Sequence, residues 1–295
     1  MNVPWVEKYR PKEFNDIVMN HRNKSFIQNI MNNQDYPNML FYGPPGTGKT
    51  TTILCLISHY QKIHNCSRNY IHLNASHERG IDVIRNQILQ FTMNSTFFEK
   101  HQKFVLLDEM DSLTKQAQKQ LIRLIKTCNH EKNVTFILIC NYLNKVIPTI
   151  RNSLLILYFN QTTKLCDSFI QKCLKEENKK IPDEQVEFIK RLYVHDLRSI
   201  MNSLQNYQKD TIILSTNVFE SLLHRNNYLS LYTKLNSQYD EYTILCELFH
   251  YIYQHYTVND TMMETMKELL LSETEENTYF VSTYLLYLRG ELQKN

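Results

Sequence analysis

Asn38-Met-Leu-Phe-Tyr42, followed by Gly43-Pro44-Pro45-Gly46-Thr47-Gly48-Lys49-Thr50-Thr51, decides the fold. A short apolar run, a glycine-rich turn and an apolar stretch through Ser58 read as strand, loop and helix. Gly43 to Thr50 fits the spacing G-x-x-x-x-G-K-[ST], and a strand before with a helix after is the setting that gives the pattern its meaning. Glycines let backbone N–H groups turn inward around a phosphate chain, and the helix N-terminus adds positive dipole. Lys49 reaches the outer phosphate oxygens, and the Thr50 hydroxyl is offered to Mg2+.

Outward from this loop the strand–helix alternation continues. Tyr70 to Leu73, Lys103 to Leu107, Val134 to Cys140 and Leu154 to Phe159 read as further strands. Ile81 to Phe91 and Ala117 to Lys126 carry helical periodicity between them. Strands that are near-continuous apolar runs, separated by helices, predict a parallel α/β sheet covered on both faces. The third strand runs into Asp108-Glu109. One carboxylate there can hold the Mg2+ shell and the next can orient and activate water, the two tasks phosphoryl transfer requires. Asn141 follows the fourth strand, where it can hydrogen-bond a terminal phosphate or the attacking water, or simply cap a turn. The expected catalytic set is therefore Lys49, Asp108, Glu109 and Asn141, with Thr50 and Asp108 as metal ligands.

Composition agrees with a folded chain of about two domains. The 295 residues are 42% hydrophobic, with 5 Gly and 7 Pro, which excludes collagen-like or linker-dominated architectures. A formal charge of +3 means that any nucleic-acid contact comes from a local patch rather than bulk charge. No apolar run approaches the roughly 20 residues of a membrane-spanning helix, and the first residues lack the apolar stretch of a signal peptide. Seven scattered Cys without a C-x-x-C pair predict reduced thiols in an intracellular protein.

After about residue 160 the strand signal stops. Residues 161–208 read as short helices, one opening near Pro182-Asp183. Residues 209–295 are again helical, with Ile244, Leu245, Leu248, Tyr251 and Ile252 forming a stripe that core packing accounts for.

Pro4-Trp-Val-Glu-Lys-Tyr-Arg-Pro11, the loop Gly43–Thr50, Leu73-Asn-Ala-Ser-His-Glu-Arg-Gly-Ile-Asp-Val-Ile-Arg-Asn86, Leu107-Asp-Glu-Met-Asp-Ser-Leu-Thr114, Cys140-Asn-Tyr142, Ile147-Pro148 and Asp196-Leu-Arg198 occur in one order. That series resembles the small subunits of replication factor C, the AAA+ sliding-clamp loader, over about residues 3–205. The resemblance implies an AAA+ nucleotide-binding domain at 1–160, a helical lid at 161–208 and a helical collar at 209–295 that assembles a ring. It implies ATP and Mg2+ as cofactors and hydrolysis coupled to loading a sliding clamp on primer–template DNA. Partners would be unlike clamp-loader subunits in a pentameric hetero-oligomeric ring, at the nucleus or another site of replication. Tyr9, Arg10, Pro11, Ile17 and Val18 would lie near the adenine. Arg198 matches the lid arginine that senses the γ-phosphate, although the family usually has Gly where this chain has His195. Asn74 stands where the family restrains the catalytic glutamate; capping of its own turn is the alternative.

Arg79 and Arg85 bracket a predicted helix start, a setting suited to phosphates. Lys115, Lys119 and Arg123 share a face of the next helix. A solvated face gives the same pattern, but the resemblance favours duplex backbone for Arg79, Arg85 and Arg123. Gln90-Phe-Thr-Met93-Asn-Ser-Thr-Phe97-Phe98 approximates a clamp-binding peptide with its aromatic pair one residue late, so Met93, Phe97 and Phe98 are candidate clamp anchors; a helix end packing on its own domain is the alternative.

One departure stands out. After Ile-Pro-x-Ile the family usually carries Ser-Arg-Cys, whose arginine completes the neighbour's ATP site. Here Arg151-Asn152-Ser153 places Ser153 at that position. Arg151, two residues earlier, would point about 200° away on a helix and would replace the missing finger only if the backbone shifts. The chain is thus expected to bind and hydrolyse ATP without completing a neighbour's site. A scaffold that holds ATP with little hydrolysis of its own, or a paralogous loader subunit, is the alternative.

Overall fold

The computed structural model describes residues 3–67, 69–76, 81–93, 101–131, 133–160, 163–194, 196–207, 214–224, 228–271, 285 and 287–288. The chain divides into two compact units, Met1–Asn206 and Tyr207–Asn295.

The first unit is built on five parallel strands, β1 (Met39–Tyr42), β2 (Tyr70–Asn74), β3 (Lys103–Asp108), β4 (Val134–Cys140) and β5 (Leu155–Tyr158), in the spatial order β2-β3-β4-β1-β5. All seven residues of β4 are buried, which is why its sequence is a continuous apolar run. The edge strands β2 and β5 each bury a single residue, Leu73 and Leu157.

The period of two along each strand sorts the core into two layers. Phe41, Phe104, Leu106, Ile137 and Ile139 face helices α2 (His21–Asn33) and α3 (Lys49–His64), with Ile27, Ile30, Ile53 and Leu56 opposite. Leu40, Val105, Leu107, Phe136 and Leu138 face the other way, onto α4 (Ile81–Met93) and α5 (Lys115–Glu131), against Ile84, Ile88, Leu121 and Ile125. Tyr36, Tyr60 and Phe104 close the first layer edge-to-face, with ring centroids 5.2–5.3 Å apart. The helix after the phosphate loop runs to His64, beyond the expected Ser58, because Ile57 and Tyr60 continue its buried face.

The remaining helices of this unit are α1 (Trp5–Lys8), α6 (Pro148–Arg151), α7 (Thr163–Glu176), α8 (Asp183–Leu192) and α9 (Leu197–Gln205). Neither α1 nor α2 belongs to the strand–helix alternation legible in the sequence. Pro182 sits at the N-cap of α8, with Asp183 and Glu184 in its first turn, where carboxylates favour the helix dipole. Lys190 is buried between Asp167 and Glu187, each 2.5 Å away, which ties α8 to α7.

The second unit consists, among the described residues, of helices α10 (Thr216–His224), α11 (Tyr228–Asn236), α12 (Glu241–His255) and α13 (Asp260–Leu271). Ile244, Leu245, Leu248, Tyr251 and Ile252 form the buried face of α12. Asp240 caps that helix through the Thr243 N–H at 2.9 Å. No helix among the described residues is long and apolar enough to cross a membrane.

Candidate functional site

Three neighbouring strands, β3, β4 and β1, deliver Asp108-Glu109, Asn141 and the Gly43–Thr50 loop to one edge of the sheet. Parallel topology does this by aligning their carboxyl ends, the usual ligand-binding edge of an open α/β sheet.

The loop is shaped by glycines at two close approaches. Gly43 has φ +148°, and a Cβ there would lie 2.0 Å from the Phe159 carbonyl oxygen. Gly46 has φ +69°, and a Cβ would lie 1.9 Å from Asp196 Oδ1. Just after Gly46 the Thr47 hydroxyl donates back to the Pro44 carbonyl at 2.8 Å. The Lys49 ammonium is buried and donates to the Gly43 and Pro44 carbonyls, both at 2.8 Å. Burial holds its pKa below the ordinary lysine value, against the opposing pull of the Asp108 carboxylate.

The Thr50 hydroxyl donates to Asp108 Oδ2 at 3.0 Å, so the two expected metal ligands are adjacent. Burial pushes the Asp108 carboxyl up, but the nearby His72 ring, the Thr50 hydroxyl and the Glu109 N–H outweigh it and hold the group below its usual value. Hydroxyl and carboxylate oxygens suit a hard cation such as Mg2+, which keeps waters and phosphate oxygens as its other ligands. No cluster of three or more His, Cys, Asp or Glu able to hold a metal occurs among the described residues. Glu109 takes the left-handed backbone conformation, φ 53°, which is uncommon for a non-glycine residue. Its N–H donates to Asp108 Oδ1 at 2.8 Å. Asp111 accepts from the Asn141 and Tyr142 N–H groups at 3.3 and 3.2 Å, which ties the tip of β4 to the acidic turn.

A cavity of about 270 Å³ joins these parts. Pro45, Gly46, Thr47, Gly48, Lys49, Thr50 and Thr51 form one side, with Asp108, Glu109 and Asn141 beyond them. Tyr9, Arg10, Pro11, Ile17 and Val18 also line it, and Arg198 reaches it from α9. Gly43 and Pro44 contribute through their carbonyls to Lys49 and are not part of the lining. Sequence reasoning missed Trp5, Val6, Glu7, Ile139, Phe169, Leu197 and Met201 in the wall. Trp5, buried in the fold, is the chain's sole tryptophan, and that rarity is the sequence signal that could have found it.

Other expected residues stand apart from this cavity. Arg85 and Arg123 are exposed on α4 and α5. Met93 ends α4, and Arg79, Phe97, Phe98 and His195 lie outside the described residues. Asn74 accepts from the Ser76 N–H and hydroxyl at 2.9 and 2.8 Å, so its carbonyl caps its own turn. Ser153 is exposed and its hydroxyl donates back to the Thr149 carbonyl at 2.8 Å, while Arg151 Nε is buried without a hydrogen-bond partner.

Comparison with known proteins agrees with this geometry. Residues 39–161 match the ATPase family associated with various cellular activities (AAA). The human protein named replication factor C subunit 5 is 39% identical over 206 residues, 70% of this chain, and the chain spans 60% of that relative's length. The replication factor C small subunit of Picrophilus torridus is 33% identical over 230 residues, 77% of this chain and 71% of its own. Among solved structures, a Thermotoga maritima RuvB variant matches with TM-score 0.55 at 18% identity, over 93% of this chain and 91% of its own. AMPPCP-bound DnaA from Aquifex aeolicus matches with TM-score 0.53 at 14% identity, over 96% of this chain and 98% of its own, a likeness of fold. Motif order, sheet topology and these identities together make the chain a member of the replication factor C subunit family.

Proposed function

We propose that this chain is an ATP-hydrolysing subunit of a clamp loader, acting in DNA replication within a ring of unlike subunits. The observation that carries the reading is the single cavity in which the phosphate loop, the Asp108-Glu109 pair, Asn141 and Arg198 meet. The triphosphate lies along the Gly46–Thr50 backbone, with Lys49 on its outer oxygens. Tyr9, Arg10, Pro11, Ile17 and Val18 enclose the base. Thr50 and Asp108 would hold Mg2+, which when bound would supply charge neutralisation at the phosphate oxygens. Glu109 orients water and accepts its proton, and Asn141 and Arg198 hydrogen-bond the terminal phosphate. Residues 161–208 act as the lid and 209–295 as the collar that assembles the ring. Arg79, Arg85 and Arg123 follow the DNA backbone, and Met93, Phe97 and Phe98 meet the clamp. Such a protein works in the nucleus, or wherever replication takes place.

A second reading, an ATP-holding scaffold or paralogous loader subunit with little turnover, draws on Ser153, whose short side chain is turned back on the Thr149 carbonyl of α6. The discriminating experiment reconstitutes the chain with its natural companion subunits, clamp and primer–template DNA. ATP binding that is lost on Lys49→Ala, with DNA-stimulated hydrolysis that drops on Glu109→Gln, supports the first reading. Retained ATP with no change on Glu109→Gln supports the second, and absence of nucleotide binding refutes both.

A further inference from the structure

The segment that forms one wall of the cavity, Trp5 to Pro11, is fastened to the helices behind it by a compact set of contacts. Lys8 Nζ and the Tyr9 hydroxyl both donate to Glu177 Oε1, at 2.6 and 2.7 Å. The Trp5 N–H donates to Gln205 Oε1 at 2.9 Å. The Lys179 ammonium lies 5.5 Å from the centre of the Trp5 ring and donates to the Gln205 carbonyl. Glu177 and Lys179 flank the turn after α7, and Gln205 ends α9, the helix that carries Leu197, Arg198 and Met201 into the same cavity.

The Tyr9–Arg10–Pro11 wall and the Arg198 wall are therefore parts of one fastened body. Glu177 is its centre, since one carboxylate oxygen takes a charged and a neutral donor from consecutive residues. We propose that Glu177 is a positioning residue for the base end of the nucleotide: it holds Tyr9 and the following Arg10-Pro11 at the spacing from α9 that a nucleoside requires, without touching the ligand itself. Glu177 is absent from the cavity lining, whereas Tyr9, Arg10 and Pro11 are in it. The side chain is 20% exposed, open enough to exchange partners yet held by two. The hydrogen bonds from Lys8 and then Tyr9 hold its carboxyl below the usual glutamate value. Burial, with Glu177 adding to it, pushes the Tyr9 hydroxyl up, so Tyr9 remains a donor across the physiological range.

This inference rests on the nucleotide reading of the cavity, and its test separates the two. Full-length protein is titrated with ATP and with inorganic tripolyphosphate, which shares the phosphate loop but has no base. Glu177→Ala is expected to weaken ATP about fivefold to tenfold, leaving tripolyphosphate affinity unchanged. Glu177→Gln retains an acceptor for Tyr9 and is expected to recover most of the loss. Tyr9→Phe, which removes the hydroxyl and keeps the ring, is expected to reproduce part of it. Equal weakening of both ligands by Glu177→Ala, or unchanged ATP affinity, overturns the positioning role. Wild-type protein that binds tripolyphosphate but gains nothing from the nucleoside overturns the reading of the cavity instead.

Discussion

Gly46 of the phosphate loop and Asp196 at the start of α9 meet so closely that no side chain fits between them: a Cβ on Gly46 would stand 1.9 Å from Asp196 Oδ1 and 2.9 Å from Asp196 Cα. The same carboxylate caps α9, accepting from the Arg198 and Ser199 N–H groups at 3.0 and 3.2 Å. The loop that would grip phosphate and the helix that presents Arg198 are thus registered by one glycine.

Gly46→Ala is therefore expected to act twice. Left-handed backbone costs alanine about 1–2 kcal/mol, and the new methyl displaces Asp196, loosening the first turn of α9. Thermal unfolding should come several degrees lower, and ATP affinity should fall at least about tenfold. Wild-type-like melting and nucleotide titration curves would show that the two elements move apart freely.

Glu109→Gln preserves the shape of the acidic turn, including the Glu109 N–H bond to Asp108. Loss of a positioned base typically costs about 10²–10⁴ in rate. Single-turnover hydrolysis in the reconstituted complex should drop by that order while ATP affinity holds. A parallel fall in affinity would place Glu109 in binding rather than in the chemical step.

Glu177 predicts a pH effect whose sign follows from its lowered pKa. A carboxyl with a folded-state pKa below its unfolded value adds stability above the unfolded value, about 4.3, and loses it as pH falls through the folded value. Glu177→Gln should melt below wild type near pH 7, and the two should converge as the pH falls through the lowered folded-state value. A gap that persists in acid would mean the carboxylate charge contributes nothing.

Arg85 and Arg123 are exposed, so replacing them with alanine should leave melting unchanged. If each neutralises a phosphate, the slope of log affinity against log salt for duplex binding should shrink by about 0.9 per residue replaced. An unchanged slope in the assembled complex assigns them to a solvated face, and Arg79→Ala extends the same measurement.

What the sequence determined by itself was everything carried by local period and spacing. Continuous apolar runs such as Val134 to Cys140 announced buried parallel strands, and the glycine and lysine spacing of Gly43 to Thr50 announced a phosphate loop, because backbone geometry and pleat act over a few residues. The order of motifs also indicated the family that comparison showed. What only the tertiary structure decided was long-range registration. Glu177 sits 168 positions from Tyr9, and Gln205 lies 200 from Trp5; no local pattern marks such pairs, since their meeting depends on how α7 and α9 pack. The Gly46–Asp196 contact is of the same kind. A glutamate just past a helix end looks like ordinary surface until packing brings two donors to it, so the cavity's back wall became visible only once the chain was folded.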